Sequence, residues 1–284
     1  MPIRITTLSE NTAARMGLLA EWGLSILIRV DDCEVLLDTG QGISAAYNAT
    51  VLGMDLSGVE RIVLSHGHRD HTGGLLHILK LMRKQVEVIA HPDIWVAKYA
   101  LRPGRKEEYV GVPFPREAAE SSGASFNLTR EPVWIRENIV ASGEIPMLTE
   151  YETIDPGLCV KELCPERSEG TELKPDALRD DRAVFIKSER GLIVILGCAH
   201  RGVINTLKYA QKLTGVEAIY AVIGGTHLMA ASSERINLTV AELKRLDIQR
   251  LGVSHCTGLP AAAILAREFG EAFFFNNVGT RISL

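Results

Sequence analysis

Short apolar, β-branched runs bounded by turn residues alternate along this chain with stretches whose apolar positions recur every three or four residues. "IRITTL", "GLSILIRV" and "CEVLLDTG" open the series as strands. Residues 43 to 53 read as a helix, "VERIVLS" as a strand, "TGGLLHILKLMRKQ" as a helix and "VEVIAHP" as a further strand. The pattern fades from about 100 to 130 into "RPGRKEEYVGVPFPREAAESSGAS", which predicts a structureless insertion acting as a lid, a binding segment or a mobile one. A second such insertion, "ELCPERSEGTELKPDALRDD", runs from 162 to 181, and "PVWIRENIVASGEI" between them predicts one or two strands. The last third is the most regular. "AVFIKS" and "GLIVIL" pair as a hairpin before "GCAH" and a helix over 202 to 213. "AIYAVI" then leads to "GGTHL" and a helix near 233 to 246, "RLGV" to "SHCTG" and a helix from Pro260, and "AFFF" closes the series. Short strands alternating with amphipathic helices predict an α/β fold. With no repeat of fixed period and no clean linker, residues 1 to 284 read as one domain.

Composition narrows the setting more than the chemistry. The chain is 46% hydrophobic and 23% charged, which is ordinary for a globular protein. Mean hydropathy is +0.09, yet no apolar run approaches the ~20 residues needed to cross a bilayer, so no membrane association is expected. The opening "MPIRITTLSENTAARMG" has no long apolar core, so no secretory signal is read there. A net charge of −4 and a pI near 6.1 argue against a nucleic-acid surface, which needs a basic field. Five cysteines cannot all pair, and Cys159 and Cys164 in "CVKELC" lack Cys-x-x-Cys spacing. The expectation is a cytoplasmic protein with reduced thiols.

"IVLSHGHRDHTGGL", residues 62 to 75, holds three of the chain's eight histidines and an aspartate within six positions. Imidazoles this dense repel one another when protonated, and a metal ion relieves that by taking them in the neutral form. His66 and His68, two apart on an extended segment, can face the same side, whereas Asp70 and His71 follow where the chain turns into a helix. One ion can therefore take His66 and His68 and a second Asp70 and His71. Gly67, Gly73 and Gly74 let backbone approach closely there. Mixed imidazole and carboxylate donors suit zinc first, with manganese or iron as alternatives, rather than calcium or magnesium.

Three later strand-to-helix junctions end in a histidine: His200, His227 and His255. Ligands of open α/β sheets gather beyond the carboxyl ends of the strands, so these residues and the 66–71 cluster can share one rim. His91 reads as structural or as a support to the site, and His77 as packed in its helix. Cys198 and Cys256, each beside a histidine, read as small buried fillers, with ligation by Cys198 as the alternative. Lys98, Arg102, Arg105 and Lys106 read as a solvated face, or else as a clamp for a substrate phosphate. Helix starts after "GCAHRG", "GGTHL" and "HCTGLP", the last with Thr257, Gly258 and Pro260, offer free N–H groups, which points to an anionic, phosphate-bearing small molecule.

The His-x-His-x-Asp-His run closely resembles the signature of the metallo-β-lactamase-fold superfamily. That resemblance implies an αββα sandwich with two divalent ions at the edge between its sheets. It implies His66, His68, Asp70 and His71 as ligands, His255 completing the second site, and Asp38 of "LLDTG" supporting the centre. The superfamily's bridging aspartate follows a Gly-Asp turn, and the equivalent turn here reads "GCAH". Cys198 stands in the aspartate's place. The missing ligand can come from His200, from Cys198 as thiolate, or from Asp180 or Asp181 in the loop. "GCAHRGVINTL", "GGTHL" and "HCTG" are similar to the branch that includes a dihydropterin synthase of methanopterin biosynthesis. This implies a transferase joining a dihydropterin pyrophosphate to an arylamine-ribosyl phosphate, with Asp70, His200 and His227 in catalytic roles. The alternatives are a hydrolase using a metal-bound hydroxide, and a metal-poor scaffold that binds a ligand or partner.

Overall fold

The computed structural model describes residues 2–163 and 171–284, and the "CPERSEG" run with Cys164 falls outside them. Two seven-stranded sheets face each other. The first runs in the order Arg281–Ser283, Ile3–Ser9, Ser25–Val30, Cys33–Leu37, Val59–Val63, Val86–Ala90 and Ala124–Leu128. It is antiparallel up to Cys33–Leu37 and parallel beyond. The second runs Phe273–Phe275, Arg250–Ser254, Ile219–Gly225, Gly191–Leu196, Ala183–Ser188, Ile139–Ala141 and Val133–Arg136. Its first four strands are parallel and the rest antiparallel.

Strand residues alternate between two apolar environments, which is why the sequence shows unbroken apolar runs here rather than a polar face. Ile26, Ile28, Val35 and Leu37 meet Ile193, Ile195, Ala221 and Ile223 between the sheets. Leu27, Leu36, Ile62 and Val88 point the other way, onto the helices Ser44–Val51 and Leu75–Met82. Val194, Leu196, Val222 and Leu251 likewise meet the helices Val203–Thr214, Ser233–Arg245 and Leu259–Phe269. The result is the expected αββα layering. Each fully buried aliphatic side chain contributes roughly 1.5–3 kcal/mol, so the three apolar layers hold the strand ends rigidly in place.

The two insertions are more ordered than their composition suggests. Residues 100 to 130 were expected to be structureless, yet they contain the strand Glu108–Tyr109, the helix Arg116–Ser121 and the edge strand Ala124–Leu128. Hydrophobic contacts explain the difference: Phe126 packs edge-on against Trp95 at 5.3 Å, and Ala119 and Ala124 are buried. On either side of the undescribed residues, Leu158–Leu163 and Thr171–Pro175 pair as a hairpin. That hairpin joins Lys98–Ala100 and Glu108–Tyr109 in a third, four-stranded sheet, so both insertions build one small platform. No helix among the described residues is long and apolar enough to cross a membrane.

Gly73 and Gly74 lock the segment after the histidine cluster. A Cβ on either would collide with backbone, the Gln41 carbonyl for Gly73 and the Thr39 carbonyl for Gly74. Overpacking a site with no room to relax costs about 1–3 kcal/mol. Gly74→Ala is therefore expected to lower unfolding stability by about that much in a urea titration, and an unchanged midpoint would contradict the packing described.

Candidate metal centre

The carboxyl ends of strands from both sheets open onto one rim, and every histidine expected there arrives. His66 and His68 follow Val59–Val63, and His200 follows Gly191–Leu196. His66 Nε2 and His200 Nε2 lie 3.1 Å apart, and the three ring centroids are 4.6 to 5.0 Å from one another. Asp70 and His71 sit in the short helix Arg69–Thr72, and His255 follows Arg250–Ser254. His255 Nε2 is 3.2 Å from both His71 Nε2 and Asp70 Oδ2. Two donor sets result, His66–His68–His200 and Asp70–His71–His255, each with donor atoms within 4.8 Å of one another. The sets adjoin, with His66 and His71 ring centroids 4.2 Å apart.

These donors fit a cation better than they fit each other. Facing nitrogens 3.1 to 3.2 Å apart can share only one proton per pair. His68 Nε2 is buried with no hydrogen-bond partner, a condition that costs about 1–3 kcal/mol in a protein interior. All three conditions are relieved by divalent ions, and the imidazole and carboxylate donor sets suit them.

Polar braces aim the rings. Asp38 Oδ2 lies 2.6 Å from His71 Nδ1, and Asp38 also accepts from the Ser65 hydroxyl and N–H at 2.6 and 2.7 Å. That places the His71 proton on Nδ1 and leaves Nε2 free to ligate. Asn11 Oδ1 lies 2.9 Å from His255 Nδ1, and Glu10 accepts the His255 N–H at 2.7 Å. Asp180 accepts the Gly67 N–H at 2.7 Å, between His66 and His68, while Lys98 donates to Asp180 and Asp176 at 3.1 and 2.6 Å. Asp38, Ala199, His227 and His255 hold left-handed backbone angles (φ 50° to 57°), strain that the braces and packing sustain at the rim.

Several expectations are corrected. Lys98 is buried in the Asp176–Asp180 network and is not part of a solvated face. Asp180 and Asp181 do not join the donor sets; Asp180 braces Gly67, and Asp181 accepts the Arg201 N–H at 2.8 Å. Cys198 is buried, as expected of a small filler, with its sulfur 3.0 Å from His71 Nε2. His77 is exposed on its helix rather than packed. Two of the three helix starts are already occupied. Glu152 accepts the Ile204 and Asn205 N–H groups, and Ser232 accepts that of Arg235, so only the helix at Leu259 keeps an uncapped start. His91 holds the structural role foreseen for it, bonded to Glu144 and to the Asp93 N–H. The His227 ring lies 4.1 Å from that of His200, tilted by 48°, and lines the cavity without joining a donor set.

The superfamily profile of "Metallo-beta-lactamase superfamily" matches residues 23–204, well over half of the chain. This protein belongs to the metallo-β-lactamase superfamily. Within it, a Methanocaldococcus jannaschii protein named 7,8-dihydropterin-6-methyl-4-(beta-D-ribofuranosyl)-aminobenzene-5'-phosphate synthase is 32% identical over 95% of this chain and 93% of its own. A second, uncharacterized protein of that organism is 31% identical over 99% of this chain and all of its own. Among solved structures, Tm1679, described as a metal-dependent hydrolase of the beta-lactamase superfamily, aligns over 99% of both chains with a TM-score of 0.82 and 26% identity. The superfamily fold implies divalent metal binding at this rim.

Above the donor sets lies a cavity of about 320 Å³ whose wall includes Arg69, Arg102, Arg105, Glu108, Asp155 and His227. The small insertion sheet thus stands beside the metallo-β-lactamase centre. A second cavity, about 430 Å³, adjoins it and shares Trp22, Met229 and His255. Its remaining wall is mixed, with Phe275, Leu259 and Pro260 beside polar Glu10, Asn11 and Asn277.

Burial sets the protonation of the centre. It drives His66 and His200 well below the ordinary imidazole range and His68 and His227 down to about 4. Burial also opposes ionisation of Asp70, but His71 and His255 outweigh it and hold that carboxyl below its usual range. The unfolded chain takes up protons at mildly acid pH that these four buried imidazoles refuse, so each favours unfolding as pH falls from about 6.5 towards 4. Asp181, pushed up to about 7 by burial, acts in the opposite direction, as do the raised carboxyls of Glu10 and Glu152 and the His71 ring raised by Asp38 and Asp70. In chelator-treated protein the His68 and His227 rings are expected to titrate with midpoints near 4 when followed by NMR. Midpoints at or above the ordinary imidazole value would contradict the assignment.

Proposed function

We propose that this protein is a metal-dependent transferase that joins an aromatic, diphosphate-activated substrate to an amine and releases pyrophosphate. Such a reaction would join the dihydropterin and ribofuranosyl-aminobenzene phosphate parts that the name of its Methanocaldococcus jannaschii relative combines. The observation that carries this reading is the pair of adjoining cavities meeting at His255 and Trp22. A hydrolase needs one organic occupant and water, whereas a joining reaction needs two occupants whose reacting atoms meet. The polar cavity offers Arg69, Arg102 and Arg105 for phosphate groups. The second offers Trp22 and Phe275, both about half exposed, as faces for a flat ring.

His66, His68 and His200 would hold one divalent ion and Asp70, His71 and His255 the other, zinc being the natural choice for these donors. When bound, such ions stabilise the negative charge that develops on a departing diphosphate. In the reaction the amine nitrogen forms a bond to the carbon bearing the diphosphate, the carbon–oxygen bond breaks, and its electron pair leaves with pyrophosphate. The amine proton is taken up by His227, which burial keeps neutral at the cavity wall beside His200. The arginines orient the phosphates, and Trp22 keeps the ring in place while excluding water.

A second reading is hydrolysis of a phosphate ester at the same centre. It is favoured by the close structural match to Tm1679, described as a hydrolase. The metal-poor scaffold reading loses support from the buried, partnerless His68 Nε2.

Purified metal-loaded protein given a dihydropterin diphosphate and an arylamine-ribosyl phosphate is expected to release pyrophosphate only when both are present. Release that does not depend on the amine would favour hydrolysis, and no release would sink the transfer reading. His227→Gln is expected to lower kcat by about 10²–10⁴-fold with little change in KM. Trp22→Ala is expected to raise KM for the ring-bearing substrate by roughly tenfold, about 1.4 kcal/mol of binding, with a smaller change in kcat.

A further inference from the structure

Away from the rim, three arginines converge on a small cavity at the edge of the first sheet. Arg4 stands directly opposite Arg29 of the neighbouring strand, and Thr6 directly opposite Arg281 of the last strand. Cross-strand partners and residues two apart share one face of a sheet, so these four side chains project together. With Met54 and Ser283 they line a cavity of about 140 Å³. Glu10, which braces His255 at the rim, follows Arg4 by six residues, roughly 20 Å of extended chain.

The cluster is rich in donors and short of negative charge. Like charges directly opposite each other on adjacent strands are destabilising. Arg29 pairs with Glu34 at 2.8 Å, and its Nη2 donates to the Asp55 carbonyl at 3.2 Å. Arg281 Nη2 donates to the Leu52 carbonyl at 2.9 Å and has no carboxylate partner among the described residues. The turn that follows the helix Ser44–Val51 thus holds both guanidinium groups in place. The Asp55 carboxylate is turned back onto its own loop, where it accepts from the Ser57 N–H and hydroxyl at 2.8 and 2.7 Å. Arg4 is exposed and has neither an ion pair nor a side-chain hydrogen bond among the described residues. Thr6 is only 5% exposed, and its hydroxyl likewise has no hydrogen-bond partner among the described residues. Fixed guanidinium groups beside an unused buried hydroxyl suit an oxyanion, since charge-assisted hydrogen bonds satisfy all of them at once. The cavity is well below the ~300 Å³ at which pockets begin to enclose drug-sized ligands, so its guest is small.

We propose that Arg4, Arg29 and Arg281 form a binding site for a small phosphate anion, inorganic phosphate or diphosphate, separate from the metal centre. The arginines bind its oxygens and the Thr6 hydroxyl donates one further hydrogen bond. A bound ion neutralises the Arg4–Arg29 pair and ties the first, second and last strands to the turn after Ser44–Val51. The site is independent of whichever chemistry the rim performs.

The test titrates the full-length protein with inorganic phosphate and, separately, with inorganic diphosphate, followed by backbone amide NMR. The amides of Arg4, Thr6, Arg29 and Arg281 are expected to shift to saturation. Saturation by either ion supports the site, and the tighter of the two identifies its guest. Arg4 has no partner to lose, so Arg4→Gln tests the site without disturbing the fold. That variant and Arg281→Gln are each expected to weaken binding about tenfold or more, whereas Arg105→Gln, in the rim cavity, should leave these shifts unchanged. Shifts confined to rim amides such as those of His68 and Arg69 would overturn the site. So would shifts around Thr6 that survive both Arg4→Gln and Arg281→Gln, or wild-type amides that do not move at an excess of either ion.

Discussion

Imidazole nitrogens brought face to face in a dry interior repel or compete for protons unless a cation sits between them, and the sandwich is built to bring them together. His66 faces His200 and His71 faces His255 across gaps of 3.1 and 3.2 Å. One member of each pair comes from the first sheet and the other from the second. Neither sheet alone makes a site. The apolar layer between them, with Ile26, Ile28 and Leu37 against Ile193, Ile195 and Ile223, therefore does more than stabilise the fold. It holds two half-sites in register, so the packing free energy offsets the cost of a cluster that is unfavourable when no ion occupies it.

Around that centre the structure repeats one device. A buried carboxylate or amide restrains the group behind a candidate ligand ring: Asp38 behind His71, Asn11 and Glu10 behind His255, and Asp180 behind the Gly67 link between His66 and His68. Such outer partners set the tautomer and direction of the ring and raise its basicity. Asp180 lies close to the insertion hairpin and is held by Lys98 from the small third sheet. The insertion platform is thus tied mechanically to the histidine-cluster loop as well as lining the cavity with Arg102 and Arg105.

Much of this was legible in the residues. The 66–71 cluster and the three strand-end histidines announce themselves by type and spacing, and the alternation of apolar runs with amphipathic helices gives the layered architecture. Asp38 was visible as a strand-end aspartate. What spacing could not reveal are partners joined only by the fold. Glu10 and Asn11 lie 245 and 244 positions from His255. Their only local signal is a polar pair closing the first strand. Lys98 misled because a lysine in a basic run is usually solvated, and here two buried aspartates draw it inward. Composition rich in Gly, Pro and Ser hid the order in residues 100 to 130, where a few aromatic contacts suffice to fold short strands.

The most direct measurement is an anomalous-scattering map from a crystal of the metal-replete protein, recorded on either side of the zinc absorption edge. The account predicts two peaks at the rim, one enclosed by His66, His68 and His200 and the other by Asp70, His71 and His255. A map with no peak between those side chains, from protein grown and purified with zinc present, would contradict it.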